Sequence, residues 1–315
     1  MNRVSVDLLT GFLGAGKTTL LSHVLQGSLS GEKVAVVMNE IGDIGIDGRV
    51  ITGMDYVENV VELNSGCICC TIDDYRFDLA VQELIEAVDP TLLIIESTGV
   101  ADPEPMLYRI KQAGLGLDAV ITVVDAANLD RALKETSVAR AQVAATDFIV
   151  INKVDLLDAR GLGRVARKVT KINPRAVVFE SERCRVQSPL LFGISTRNYR
   201  RSLEAGASEQ PPPKVTHLDE DGISAFSYDG GGEFDQKRFE RFLDRLPANV
   251  YRAKGFVRLA GNDWSCLFNY TCGRYEISWV KVGAAAASTQ AVFIGRDLEG
   301  EREKILDKLL DCKVD

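Results

Sequence analysis

Up to about residue 200 the chain alternates short runs of consecutive apolar residues, such as Leu92-Leu93-Ile94-Ile95 and Phe148-Ile149-Val150-Ile151, with longer stretches whose apolar positions recur every three to four residues. A run without a polar face suits a strand buried on both sides, and a three-to-four repeat suits a helix that buries one stripe. The pattern predicts strands over 3–9, 33–38, 59–63, 91–96, 118–124, 147–152 and 175–180, and helices over 17–26, 73–88, 103–113, 128–144 and 161–172. Such alternation is the signature of an α/β fold, a doubly wound and mostly parallel sheet with helices on both faces. Ligand-carrying loops are then expected at the carboxyl ends of the strands.

Periodicity disappears over 205–214, where three prolines follow small and polar residues, so this stretch reads as a semi-rigid linker. Beyond it the texture changes to a strand-like run at 223–228, a helix over 234–245, strand-like runs at 251–259, 264–270, 274–282 and 289–295, and a helix over 299–311. The expected organisation is a first domain over 1–204, the linker, and a smaller α+β domain over 215–315. Phe256, Trp264, Phe268, Tyr270 and Trp279 read as core and sheet-face aromatics of that second domain.

The first strand-to-helix junction carries chemistry. Gly11-Phe12-Leu13-Gly14-Ala15-Gly16-Lys17-Thr18-Thr19 follows an apolar run and precedes Leu20-Leu21-Ser22-His23-Val24-Leu25. Its spacing fits G-x-x-x-x-G-K-[ST], the phosphate-binding loop of P-loop NTPases. Gly11, Gly14 and Gly16 let backbone N–H groups wrap a phosphate that a Cβ would obstruct, with Ala15 and Thr19 completing the cradle. Lys17 supplies a point charge to the β and γ phosphates, and Thr18 a hydroxyl to Mg²⁺ at a helix N-terminus.

Two later strand ends extend this reading. Glu96 closes the run Leu92–Ile95 in a Walker-B-like position and would act on the same Mg²⁺, through water because it is longer than Asp, while Gly99 can bring its N–H to the γ-phosphate. Lys17, Glu96 and Gly99 are therefore the candidate catalytic groups. Asn152-Lys153-Val154-Asp155 follows the run Phe148–Ile151 and selects the base. Guanine presents two adjacent donors that the carboxylate of Asp155 can accept together, and adenine has no such pair; Asn152 can tie loops, and the Lys153 stem can cover the ring.

A net charge of −8 argues against a broad nucleic-acid or anionic-membrane surface, and no apolar run approaches a membrane span, so a cytoplasmic protein is expected. The basic set Arg160, Arg164, Arg167, Lys168 and Lys171 falls on one helix face and reads as solvated. Of seven cysteines, Cys67, Cys69 and Cys70 crowd one turn between a strand and a helix, where a lowered thiolate pKa favours metal. Thiolates select ions such as Zn²⁺, Cu⁺ or Co²⁺, and Glu40 on another strand end is the candidate fourth ligand. Cys184, Cys266, Cys272 and Cys312 read as core or incidental, and His23 as exposed or packed rather than a ligand.

GFLGAGKTT at 11–19, Asn39-Glu40-Ile41-Gly42, GCICC at 66–70, Glu96-Ser97-Thr98-Gly99 and Asn152-Lys153-Val154-Asp155 together resemble the CobW-type GTPases, a family of metallochaperones. The likeness continues in Tyr251-Arg252-Ala253-Lys254-Gly255-Phe256-Val257 and so spans nearly the whole chain. The resemblance implies a GTPase using GTP/GDP, with zinc or cobalt on the cysteines delivered to a client metalloprotein or metal-cofactor pathway, and a possible homodimer. With only His23 and His217, storage of metal through histidines is not expected. In the gating scheme that follows, GTP orders the loops 39–48 and 64–73 and tightens the metal site; Asp43 and Asp47 both stand as candidates to assist Mg²⁺ or water. Hydrolysis is expected to be slow, since no arginine finger is identifiable. A phosphotransferase on the same loop, or a GTP-binding switch with redox-sensing thiols, are the alternatives.

Overall fold

The computed structural model describes residues 4–26, 33–38, 59–62, 74–186, 191–192, 223–262, 265–280 and 288–314. The chain divides into two compact units, one within 3–204 and one within 205–315. The linker expected at 205–214 lies outside the described residues.

Among the described residues the first unit holds seven strands, β1 (Ser5–Thr10), β2 (Val34–Met38), β3 (Asn59–Glu62), β4 (Leu92–Glu96), β5 (Gly116–Asp125), β6 (Phe148–Asn152) and β7 (Val177–Ser181). Its helices are α1 (Lys17–Gln26), α2 (Asp74–Val88), α3 (Pro103–Gln112), α4 (Leu129–Glu135), α5 (Ser137–Ala144) and α6 (Ala159–Ile172). The strand order is β3-β2-β4-β1-β5-β6-β7, and every pairing is parallel. The chain runs from β1 to β2 and the edge strand β3, comes back to insert β4 beside β1, then crosses to build the other half through β5. The loop after β1 therefore leaves at the topological switch point, where open α/β sheets bind ligands.

Alternation within strands explains the two-sided burial. Val6, Leu8, Leu93 and Ile95 share one core with Phe77, Val81 and Leu84 of α2 and Met106 and Ile110 of α3. A second core joins Val124, Ile149 and Ile151 to Leu129 of α4, Val143 of α5 and Val165 and Val169 of α6. Each such side chain, fully withdrawn from water, contributes about 1.5–3 kcal/mol before entropy is counted.

One expected element is wrong in form. The single helix expected over 128–144 is two helices, because Thr136 is extended at φ −149°, ψ 146°. Its hydroxyl accepts from the Val138 N–H at 3.1 Å and so caps the second helix in place of continuing the first. Similarly, α6 begins two residues before its predicted start, because the Asp158 carboxylate accepts from the Gly161 N–H at 2.7 Å. On α6, Arg160, Arg164, Arg167 and Lys171 are exposed, and Lys168 pairs with Asp130.

In the second unit β8 (Ile223–Gly230), β9 (Val250–Arg258), β10 (Ser265–Thr271), β11 (Arg274–Val280) and β12 (Thr289–Arg296) form an antiparallel sheet in the order β11-β10-β9-β12-β8. Helices α7 (Gln236–Asp244) and α8 (Arg302–Leu310) share its core, with Phe239 edge-on to Phe268 and Phe242 edge-on to Phe293. Phe256, Phe268 and Tyr270 are buried as expected, but Trp279 is 40% exposed. It pairs with the core-facing Cys266 yet sits on the edge strand, where fewer neighbours cover it. Trp264 lies outside the described residues. Among the described residues no helix is long and apolar enough to cross a membrane.

Candidate functional site

The loop after β1 takes backbone conformations that only glycine holds without strain. Gly11 has φ +138°, and a Cβ there would lie 2.2 Å from the carbonyl oxygen of Val123 on β5. Gly16 has φ +115°, and a Cβ there would meet Asn152 Nδ2 at 2.6 Å and Cys184 Sγ at 2.7 Å. Gly14, Ala15, Thr18 and Thr19 lie between and after them, with Thr18 half-buried and Thr19 exposed at the start of α1. Lys17 is buried, and its ammonium donates to the carbonyl of Gly11 at 2.9 Å, closing the loop on itself.

Glu96 ends β4 directly beside Leu9 of β1, and its side chain is buried. Gly99 packs on the loop so closely that a Cβ would come within 2.5 Å of the Leu13 nitrogen. Gln142 of α5, itself buried, donates from Nε2 to the carbonyls of Gly99 at 3.4 Å and Ala101 at 3.1 Å, fixing the turn from the far side. The buried hydroxyls of Thr10, Ser97 and Thr98, at the adjoining ends of β1 and β4, have no hydrogen-bond partner among the described residues. Unsatisfied hydroxyls in such a group mark a place where a polar ligand or ordered water completes the set.

Asn152 joins three segments. Its Nδ2 donates to the Ala15 carbonyl at 2.8 Å, and its Oδ1 accepts from the Cys184 N–H at 2.8 Å. Lys153 is left-handed at φ 62°, ψ 38°, and its ammonium meets Asp125 at 2.6 Å. Asp155 stands exposed in the short 3-10 turn Val154–Leu156. The phosphate loop, the Glu96–Gly99 turn and the Asn152–Asp155 turn thus share the carboxyl edge of one sheet.

Sequence reasoning missed two members of this arrangement. Asp125 ends the apolar strand β5 as Glu96 ends β4, and the same strand-end signal could have found it. Cys184, read as core or incidental, is fully buried beneath the loop: its Sγ lies 3.2 Å from the Gly16 carbonyl, and its own carbonyl lies 3.3 Å from Nδ1 of His23. Burial pushes the Cys184 thiol up to about 12. His23 is accordingly packed, as expected. Cys67, Cys69, Cys70, Glu40, Asp43 and Asp47 lie outside the described residues, and among those described no group of three or more His, Cys, Asp or Glu could hold a metal.

Residues 5–180 match the family profile described as CobW/HypB/UreG, nucleotide-binding domain. This chain belongs to the CobW/HypB/UreG family. Residues 223–313 match the profile of the cobalamin synthesis protein cobW C-terminal domain, so the family likeness takes in both units. Relatives include a protein named zinc chaperone YjiA from Escherichia coli, 30% identical over 316 aligned residues that cover 96% of each chain. A protein named zinc chaperone CobW from Pseudomonas aeruginosa is 30% identical over 94% of this chain and 88% of its own. The protein named zinc-regulated GTPase metalloprotein activator 1 from Schizosaccharomyces pombe is 35% identical over 58% of this chain and 46% of its own. A crystal structure of zinc-bound YjiA GTPase from Escherichia coli aligns over the whole of both chains at 25% identity, with a TM-score of 0.43. The CobW-type resemblance read from the motifs, and the α/β fold with a smaller second unit, are borne out.

Proposed function

We propose that this chain is a GTP-binding metallochaperone that hydrolyses GTP slowly, carries zinc, and delivers it to a client metalloprotein or metal-cofactor pathway. The observation that carries the reading is the tie of the glycine loop to the Asn152–Asp155 turn through Asn152, which brings the loop and Asp155 to one sheet edge and supports a phosphate cradle beside a base-reading carboxylate. Family membership makes the chain a GTPase rather than a phosphotransferase. The names of its relatives support zinc as the cargo.

In this reading Gly11, Gly14, Ala15, Gly16, Lys17, Thr18 and Thr19 hold the phosphates, while Asn152, Lys153 and Asp155 hold guanine. The positive φ of Gly11, Gly14 and Gly16, and the buried hydroxyls of Thr10 and Thr98 that lack a partner among the described residues, support a polyanion and its water at the loop. Thr18 and Glu96 offer hard oxygen donors that suit Mg²⁺, which when bound supplies charge neutralisation on the phosphates. Lys17 leaves its Gly11 contact to meet the γ-phosphate, Gly99 offers its N–H there, and Glu96 acts toward the metal. Cys67, Cys69 and Cys70 take zinc as thiolates, with Glu40 as the fourth ligand. The reduced thiols these ligands require suit a cytoplasmic setting.

Binding of GTP should tighten zinc, and by reciprocity zinc should tighten GTP by the same factor. The test is an anaerobic competition titration of Zn²⁺ and Co²⁺ against a chelator, with Mg²⁺ and either GDP or a non-hydrolysable GTP analogue. A tightening of tenfold or more, about 1.4 kcal/mol of coupling, is expected with the analogue, together with its loss in Cys67→Ala. Equal affinities in the two nucleotide states would remove the gating scheme. Unchanged affinity in Cys67→Ala would remove the thiol site.

A further inference from the structure

We propose that Asp125 is a positioning residue for base recognition, its carboxylate holding the Lys153 ammonium so that the lysine stem lies against the ring face of a bound guanine. The proposal deepens, and rests on, the reading of Asn152–Asp155 as the base site.

Asp125 ends β5 and is the registered neighbour of Asn152 at the end of β6, so two strand ends deliver the pair side by side. The carboxylate is fixed by its own turn. Oδ1 accepts from the N–H groups of Ala127 at 2.9 Å and Asn128 at 3.1 Å, and Oδ2 accepts from Nδ2 of Asn128 at 3.0 Å. Oδ2 then takes the Lys153 ammonium at 2.6 Å. Burial works against the charge of Asp125, but the hydrogen bonds from Lys153 and Asn128 outweigh it and hold the carboxyl below its ordinary value.

Lys153 shows the other half of the device. Its left-handed backbone is a conformation that disfavours residues with a side chain, and it is sustained where the surroundings hold it. The ammonium is tied while the side chain as a whole stays 34% exposed, so the methylene stem remains available to a ligand. A free lysine has many rotamers to lose on binding, and a lysine already held loses less of that freedom when a base arrives. The division of labour follows from the chemistry. Asp155 reads the donor edge of the purine, and the pinned stem covers its face, which is indifferent to the 2-amino group.

That difference gives a readout that a purely structural carboxylate would not move. Asp125→Asn keeps an oxygen for the Ala127 and Asn128 N–H groups but turns an amide, without negative charge, toward Lys153. Affinities for GDP, IDP and ADP are measured with Mg²⁺ for the wild-type chain, for Asp125→Asn, for Lys153→Met and for the double variant, with melting curves for each. The expected result is a loss of tenfold or more for GDP and IDP by the same factor. ADP, whose base offers Asp155 no donor pair to hold its ring beneath the stem, should lose less than GDP does, and the double variant should be no weaker than the weaker single one. GDP binding within twofold of wild type in Asp125→Asn, a changed GDP-to-IDP ratio, or losses that multiply in the double variant would overturn the proposal while leaving the base site standing. A wild-type protein that does not prefer GDP and IDP to ADP would overturn the base site and the proposal together. Should Asp125→Asn fail to fold, Lys153→Met carries the same expectation from the partly exposed side of the pair, and binding within twofold of wild type there is equally fatal.

Discussion

Asn152 is the side chain whose loss is most open to calculation. Asn152→Ala removes a donor from the Ala15 carbonyl and an acceptor from the Cys184 N–H, at residues that are both fully buried. A buried polar group left without a partner costs about 1–3 kcal/mol, so two such groups put the expected loss at about 2–6 kcal/mol, with the vacated volume favouring the upper end. Against a typical domain stability of about 5–15 kcal/mol, the variant should fold at 25 °C and unfold at clearly lower denaturant. The probe matters, because both tryptophans of the chain, Trp264 and Trp279, belong to the second unit. Tryptophan fluorescence would therefore report the wrong transition, and urea unfolding should be followed by far-ultraviolet circular dichroism. Asn152→Asp is the sharper control, since it keeps an acceptor for Cys184 but sets a carboxylate oxygen against the Ala15 carbonyl, and it should lose at least as much. GDP affinity should fall further than stability alone explains in both variants. A change under about 0.5 kcal/mol in Asn152→Ala, the range of ordinary surface substitutions, would refute the account of the tie.

Gly11→Ala should weaken GDP binding by at least about 2 kcal/mol in nucleotide titrations, because its Cβ would fall 2.2 Å from the Val123 carbonyl in a backbone region that alanine avoids. Burial pushes the thiols of Cys184 and Cys266 from 9.0 up to about 12, so the unfolded chain ionises them first as pH rises. Stability from these groups is therefore intact below about pH 9 and falls between 9 and 12, which urea unfolding at stepped pH would detect; a flat profile there contradicts it. The same burial predicts that alkylation of the native protein at pH 8, mapped by peptide, labels Cys272, which is partly exposed, ahead of Cys184, Cys266 and Cys312.

The sequence reading found the elements whose causes are local. The phosphate loop was legible because its glycines, lysine and threonine do their work within nine residues, and strands such as β4 and β6 because a wholly apolar run has few other uses. The break at Thr136 was passed over because its flanks are rich in helix formers, although a threonine that caps a following helix is itself a local signal. The strand-end position of Asp125 was legible, but its contact with Lys153, like that of Cys184 with Gly16, escaped for a different reason. Their partners lie 28 and 168 residues away, in Lys153 and Gly16, and no periodicity links such positions. The core aromatics followed from composition, but the exposure of Trp279 depended on which strand became an edge, and strand order is set by tertiary pairing.

That strand order also bears on how the protein comes off the ribosome. The last strand of the second sheet, β12, lies between β8 and β9, hydrogen-bonded to both, so β8 meets the rest of its sheet only through a segment made some sixty residues later. The first unit, by contrast, completes its sheet at β7 before any of the second is synthesised. Synthesis should therefore present a finished nucleotide fold trailing an open sheet whose edges wait for residues 289–296. During that interval the nascent chain is most exposed to wrong strand partners, and ribosome stalling there should trap a species that is nucleotide-competent yet prone to aggregate.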